Sequence, residues 1–320
     1  MTLEPIIPVE MEPGVPSRYM GGFELPTQIE GRSPWRLAWD RQRRDRAAMI
    51  SLGVIVLMAL IAIFAPVFAS ITGHGVNQQF RDTGLSPNGL PVAPNHTFWL
   101  GTDDLGRDVL VRIAYGARIS LFVGVVATFL TVAVGTVFGL AAGYMRGVVD
   151  TVIGRMVDVV LSLPYLLFAI ALASVYHASL TIVIIVIAFF GFASVARIVR
   201  GQVLTIREKE YIEASRSMGA SPARIMFIDI LPNVAAPVIV LATLLIPVSI
   251  VFEAALSFLG VGVQPPTADW GGMIADAQNV YQQAWWFLVF PCAALLIVTL
   301  AFNIFGDGVR DALDPRVERL

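Results

Sequence analysis

Chemistry in this sequence would have to rest on one lysine, one cysteine, three histidines and a few acids and arginines set among long apolar runs. Lys209, in LTIREKEY, follows no glycine-rich turn, so no G-x-x-x-x-G-K-[ST] loop is present to cradle nucleotide phosphates. Neither G-x-S-x-G nor H-E-x-x-H occurs, which leaves hydrolase chemistry without a nucleophile elbow or a zinc-binding pair. His74, His96 and His177 show no metal-ligand spacing. A single cysteine, Cys292, excludes an intrachain disulfide and a cysteine zinc site, and its apolar surroundings read as an inert core position. Charges at membrane depth are costly and therefore informative. Glu253 ends a charge-free run, where it either faces a pore or sits at the interface, snorkelling to water or pairing with an arginine. Asp158, three residues after Arg155, is expected to pair with it at a helix end. Arg197 and Arg200 suit lipid headgroups and a helix C-terminus.

The elements that must position these groups follow from composition. With 320 residues, 56% hydrophobic, 14% charged and a mean hydropathy of +0.73, the chain is too apolar for an ordinary soluble domain and reads as an integral membrane protein. The first charge-free stretch is most apolar from Ala48 to Phe68, about 21 residues or roughly 31 Å of helix, enough to span a bilayer. Five more runs pass the same test: Ile119 to Tyr144, Val159 to Tyr176, Leu180 to Ala196, Val234 to Phe252 and Trp286 to Phe305. Gly124, Gly135, Gly139, Gly191, Pro164, Pro237, Pro247 and Pro291 lie inside these runs, as packed membrane helices tolerate, and serve close packing and kinking.

Six crossings put both termini on one side. Eighteen Arg and Lys residues fall on that side and four (Arg81, Arg107, Arg112, Arg118) on the other, which places both termini and the 197–232 connection in the cytoplasm. The proline-rich residues 1–35 lack the apolar run of a signal peptide and read as a disordered cytoplasmic tail. In GTDDLGRDVLVRIAYGAR, residues 101–118, apolar side chains recur every four positions, predicting a helix in the outer interface capped by Thr102 or Asp103.

The most informative connection is ARIVRGQVLTIREKEYIEASRSMGASPARIMFIDILPN, residues 196–233. Glu208 to Met218 is a helical run, Gly219 suits a left-handed C′ position, Ser221 can cap, and Pro222 fits the first turn of a second helix. The result is a rigid knob. Ile212, Ser215 and Met218 form a weakly apolar stripe bordered by Glu213 and Arg216, which a partner's groove can accept; a plain solvated loop is the alternative.

Here a resemblance enters. Glu213-Ala214-Ser215, three residues, Gly219, and Leu231-Pro232 resemble the EAA loop of ABC-importer permeases, EAA-x3-G-x9-I-x-L-P, with Ser215 for the second Ala and Asp229 for the Ile. GTDDLGRDVLVRIAYGARISL (101–121) and FEAALSFLGVGVQPPTADWGGMI (252–274) are similar to two segments of dipeptide and oligopeptide permease C subunits. NIFGDGVRDALDPR (303–316) resembles their ending, with Val309 for the usual Leu. These stretches extend over roughly residues 36–316, and agreement at four separated places is a specific signal.

The resemblance implies an all-α inner-membrane protein of six transmembrane helices with the type I ABC importer permease fold. Its divisions would be the tail 1–35, a first helix with outer loop and interfacial helix at 36–117, a permease domain at 118–308 holding the EAA loop 208–232, and a cytoplasmic tail 309–320. It also implies no catalysis and no cofactor in this chain, ATP and Mg being bound by two partner ATPase subunits. The other partners implied are a second homologous permease, an extracellular peptide-binding protein, the peptide and the lipid bilayer, with no nucleic acid. Glu213, Ala214, Ser215, Met218, Gly219, Ala220 and Ser221 would form the coupling helix seated in an ATPase groove, with Glu213 pairing to that ATPase or capping within the loop. Glu253 would attract a peptide's α-ammonium in the translocation path. Asp269 and Trp270, in the acidic, basic-free segment 260–286, would belong to an outer gate or to a docking surface for the binding protein. An interfacial helix anchored by Trp285 and Trp286 is the alternative there. A nickel or other chelate cargo fits the same architecture, whereas an ion-coupled secondary transporter lacks the mid-span carboxylates it would need.

Overall fold

In a computed structural model of the chain, residues 34–176 and 178–314 are described; the expected N-terminal tail lies almost entirely outside them. Among the described residues the fold is helical, with two isolated β-bridges, Leu85 to Pro91 and Thr102 to Asp108. A short helix α1 (Pro34–Arg44) leads into α2 (Arg46–Ile63), whose first turn is capped by Asp45 through the backbone N–H groups of Ala47 and Ala48. The short α3 (Ala65–Thr72) continues beyond a break at Phe64. The long α4 (Val109–Met145), α7 (Leu180–Ile206), α10 (Leu231–Phe258) and α12 (Trp285–Leu313) follow, with α5 (Gly147–Ser162) and α6 (Tyr165–Tyr176) between α4 and α7. Among the described residues five helices are long and apolar enough to cross a bilayer, and the apolar pair α5 and α6, bent by 85°, makes a sixth if it is counted as one broken span.

That bend departs from the continuous third span expected from hydropathy. Leu163 precedes Pro164, and the proline ring drives its backbone to φ −80°, ψ 132°, which no helix continues through. The expected interfacial helix over 101–118 is also absent. Gly101 and Gly106 take left-handed φ angles of 76° and 75°, and the chain turns tightly there. Helix α4 then starts at Val109, capped by Asp108 and not by Thr102 or Asp103, and runs unbroken into the second crossing. The division drawn at residue 118 therefore falls inside one helix, and that at 309 inside α12.

Helix α4 is the spine. Gly135, Gly139 and Gly143 stand every four residues along it and receive Val195, Val199 and Val203 of α7; a Cβ on any of the three would lie 2.6 Å from a valine Cβ. Small residues let two backbones approach closely, which is how packing is won between helices in lipid. On other faces of α4, Gly124 lies against Ile250 of α10, and Thr128 hydrogen-bonds Ser249 at 2.9 Å. Helix α12 closes against α2 where Gly308 meets Ala48, and Arg41 of α1 donates to the carbonyl of Asp314 at 3.1 Å, tying the two ends of the described chain together. Large apolar side chains such as Phe129, Val125 and Leu296 face outward, as expected where lipid is the solvent. Cys292 is among the exposed residues, so it is not the core position that its apolar context suggested.

Candidate functional site: a helical knob and a charged cap

Between the fourth and fifth crossings, on the side of the termini, the chain forms a knob. Helix α8 (Glu210–Ser217) ends at Met218, and Gly219 adopts φ 81°, its N–H donating to Arg216 while that of Ala220 donates to Ser215. Ser221 accepts from the Arg224 N–H at 3.3 Å, and α9 (Pro222–Arg224) passes through a π-helical turn, Ile225–Ile230, directly into α10. The second helix of the hairpin is thus the fifth crossing itself. Sequence reasoning anticipated the glycine turn, the serine cap and the proline start.

The face of α8 differs from the expected stripe. Ile212 is fully buried with Val203, Ile206, Ile225 and Ile230, so it roots the knob in the bundle and is not offered to a partner. The exposed face carries Tyr211, Glu213, Ala214, Arg216 and Met218, the last 80% exposed, with Ser215 and Ala220 half-buried. Among the described residues Glu213 neither caps the loop nor joins an ion pair, so its carboxylate stands free in solvent. Arg207 holds the knob to the end of α4 by donating to the Tyr144 carbonyl at 2.6 Å, and the guanidinium of Arg216 lies 5.7 Å from the Tyr144 ring. Nearby, Arg146 pairs with Glu208. Asp158 pairs with Arg197 at 2.7 Å, not with Arg155, and Arg200 grips Asp150, its Nη2 2.7 Å from Oδ2. Arg197 and Arg200 therefore tie α7 to α5 instead of serving lipid headgroups alone.

The opposite end is a charged cap. Asp103 is fully buried; its Oδ1 accepts from the backbone N–H groups of Leu105 and Arg107, and its Oδ2 lies 2.5 Å from Arg107 Nε and 3.4 Å from Arg112 Nε. Arg107 and Arg112 are 5% and 3% exposed, and Arg107 also reaches Asp104 at 3.7 Å and Asp276 at 3.8 Å. While one oxygen of Asp108 caps α4, the other lies 2.6 Å from His74 Nδ1, and the His74 ring stacks on Phe98. Burial together with the neighbouring Asp103 and Asp276 charges pushes Asp104 up to about 6, and burial likewise raises Asp269 and Asp276. The signal for this cluster was legible as three acids and two arginines within ten residues of a segment otherwise read as an amphipathic helix.

Glu253, Asp269 and Trp270 do come together, but inside the chain. Asp269 caps α11 (Trp270–Ala277) by accepting from the Gly272 N–H at 2.8 Å, and Trp270 donates to the Ile113 carbonyl while its ring packs over Gly116. Glu253 accepts from Ser257 at 3.3 Å and, among the described residues, has no basic partner. The three side chains are 0%, 2% and 0% exposed, and Asp269 edges a cavity of about 160 Å³ that Arg107 and Arg112 also line. Burial without a basic partner among the described residues excludes a snorkelling or arginine-paired Glu253, and the three side chains seal α11 onto α4 and α10. In the same way Trp286 is 6% exposed and donates to the Thr102 carbonyl, while Trp285 remains exposed.

A bundle of five apolar crossings and one broken helix pair, capped at one end and bearing a helical knob at the other, defines the protein as a multi-pass membrane permease. It belongs to the family described as the inner membrane component of binding-protein-dependent transport systems, which matches over residues 135–319. Residues 33–87 match the N-terminal transmembrane domain of oligopeptide transport permease C. A dipeptide transport system permease protein, DppC, of Alkalihalophilus pseudofirmus is 41% identical over 291 residues, covering 91% of this chain and 93% of its own. Oligopeptide transport system permease proteins, OppC, of Bacillus subtilis and Escherichia coli are each 40% identical, over 90% and 94% of this chain and 91% and 97% of their own. Among solved structures, a chain of the MetNI methionine ABC transporter in an inward-facing form is 21% identical with a TM-score of 0.53, covering 64% of this chain and 96% of that one, a likeness of fold.

Proposed function

We propose that this chain is one permease subunit of an ATP-driven importer of di- and oligopeptides, paired with a second, homologous permease. Two ATP-binding subunits dock at the knob end, which faces the cytoplasm with both termini, and a peptide-binding protein delivers cargo at the capped end. ATP and Mg are held by the docked subunits. The observation that carries this reading is the knob: an exposed helical face, Glu213 to Ser221, in a chain about two-fifths identical to DppC and OppC over nine-tenths of its length.

The physical logic is transmission through stiff parts. Ile212 fixes α8 to α7 and the π-helical turn, and Pro222 begins the helix that continues as the fifth crossing, so displacement of α8 moves both crossings together. Glu213, Ala214, Ser215 and Met218 form the docking face, while Gly219, Ala220 and Ser221 shape the turn behind it. Closure of the ATPases at this face then rocks packed helices between two arrangements, the alternating access of rigid-body transporters.

Co-purification of the tagged chain from its native membrane, with mass spectrometry, an ATPase assay and peptide uptake, tests the reading. The expected result is recovery of a second permease and ATP-binding subunits. Ala214→Arg, on the exposed face, should abolish docking and uptake while leaving the chain folded. Solitary purification together with solute movement down an ion gradient overturns the reading.

A further inference from the structure

A cavity of about 300 Å³ opens where α5 breaks into α6, against α4, α7 and α10. Its walls are aromatic and hydroxylated at once: Tyr165, Phe190 and Phe252 meet with ring centroids 4.5 to 5.1 Å apart around Tyr165, and Thr131, Ser194 and Ser249 contribute hydroxyls. Thr131 is 2% exposed, yet its hydroxyl has no hydrogen-bond partner, and the phenolic oxygen of Tyr165 is likewise buried and unpartnered. Gly191 keeps the space beside Thr131 open, since a Cβ there would come within 2.9 Å of the threonine oxygen. Among the described residues no charged side chain lines the cavity.

Depth and chemistry point to one occupant. Thr131, Ser194 and Leu245 sit near the middle of the apolar parts of three crossings, the depth at which secondary transporters, which also work by alternating access, place their substrate contacts beside interrupted helices. A groove meant for acyl chains would not hold free hydroxyls, because hydrocarbon offers them no partner. A charged peptide terminus finds no counter-charge here. The volume is at the lower bound of roughly 300 Å³ for small-molecule sites, enough for one side chain with its flanking peptide groups and too small for a whole oligopeptide. We propose that this cavity is a subsite on the translocation path that takes an apolar or aromatic side chain of the passing peptide, with the Thr131 and Tyr165 hydroxyls bonding the adjacent peptide group, and that it biases which peptides the permease passes.

This inference rests on the peptide-import reading, and the experiment separates the two. The complete transporter with its ATPases and binding protein is reconstituted in proteoliposomes, and uptake of Ala-Ala-Ala, Ala-Phe-Ala and Ala-Trp-Ala is compared at fixed ATP. Ser194 is exposed, so Ser194→Phe fills the cavity without entering the core. It should lower Ala-Phe-Ala uptake at least about tenfold relative to Ala-Ala-Ala. Conversely, Phe252→Ala should raise the Ala-Trp-Ala to Ala-Ala-Ala ratio about threefold or more, a gain that misfolding cannot produce. Ratios equal to wild type in both variants, including a uniform loss of all uptake in Ser194→Phe, overturn the subsite and leave the cavity to lipid or to packing. A wild-type complex that moves none of the three peptides sinks the import reading itself.

Discussion

At the knob end, charged side chains stand in solvent: Arg197 and Asp158 are each 56% exposed in their ion pair, and Glu213 has no partner at all among the described residues. At the capped end the same kinds of side chain are sealed in, with Asp103, Arg107 and Arg112 all 5% exposed or less. Each exposed pair contributes about 0–1 kcal/mol, is screened by salt, and can be exchanged for contacts to another protein at little expense. A buried network is stable only when complete, because any member left without its partner retains the desolvation penalty. One end is therefore built to be re-partnered and the other to stay shut, although both are made from arginine and aspartate.

The largest expected effect comes from breaking the closed end. Asp103→Ala leaves two buried guanidinium groups without their shared counter-charge and should cost about 3–5 kcal/mol in unfolding experiments on the detergent-solubilised chain. A loss below about 1 kcal/mol would mean that Asp104 and Asp276 take over, and the contrast between the ends would fail. Gly219→Val should cost less, roughly 1–2 kcal/mol, because a side chain at φ 81° is strained while no atom lies within 4 Å of a Cβ there. Its uptake defect should greatly exceed its stability defect; proportionate losses would make the turn merely structural.

The smallest effect sharpens the electrostatics of the cap. The folded Asp104 titrates near 6 against 3.8 for the ordinary group, so its neutral form is favoured on folding. Its stabilising contribution is full below about pH 4 and lost as pH rises through 6. Asp104→Asn should therefore flatten the decline in unfolding midpoint between pH 4 and 7, by an amount worth less than about 1 kcal/mol because the side chain is a third exposed. An unchanged slope would assign the pH dependence to Asp269 and Asp276, which burial raises in the same direction.

Much of the knob was legible before any coordinates. Gly219, Ser221 and Pro222 each act within a turn of their own position, and their backbone preferences are local facts. Ile212 lies in the core and not on the partner-facing stripe because its partners, Ile225 and Ile230, arrive from the next helix. Asp158 shows the same limit: Arg155 is its neighbour in sequence, but Arg197, 39 residues away, is its neighbour in space. For Glu253 the sequence leaves a pore-facing and an interfacial carboxylate open, because hydropathy locates the depth of a residue and not its direction; the packing buries it completely. The helix expected over residues 101–118 failed for a different reason, since a four-residue apolar period is indifferent to two glycines held left-handed at 101 and 106.

Six apolar runs, the bias of basic residues, the glycine-serine-proline turn and the motifs shared with peptide permeases were all properties of residue type and near spacing, so composition and local backbone preference were enough to announce a membrane permease with a protruding helix. The sealing of Glu253, Asp269 and Trp270, the pairing of Asp103 with two arginines and the cavity at the α5–α6 bend arise where α4, α7, α10 and α11 meet. Those groups are brought together by close helix packing over long stretches of sequence, and burial, which sets both the energy of a charge and its access to a solute, is a property of that packing and of no residue alone.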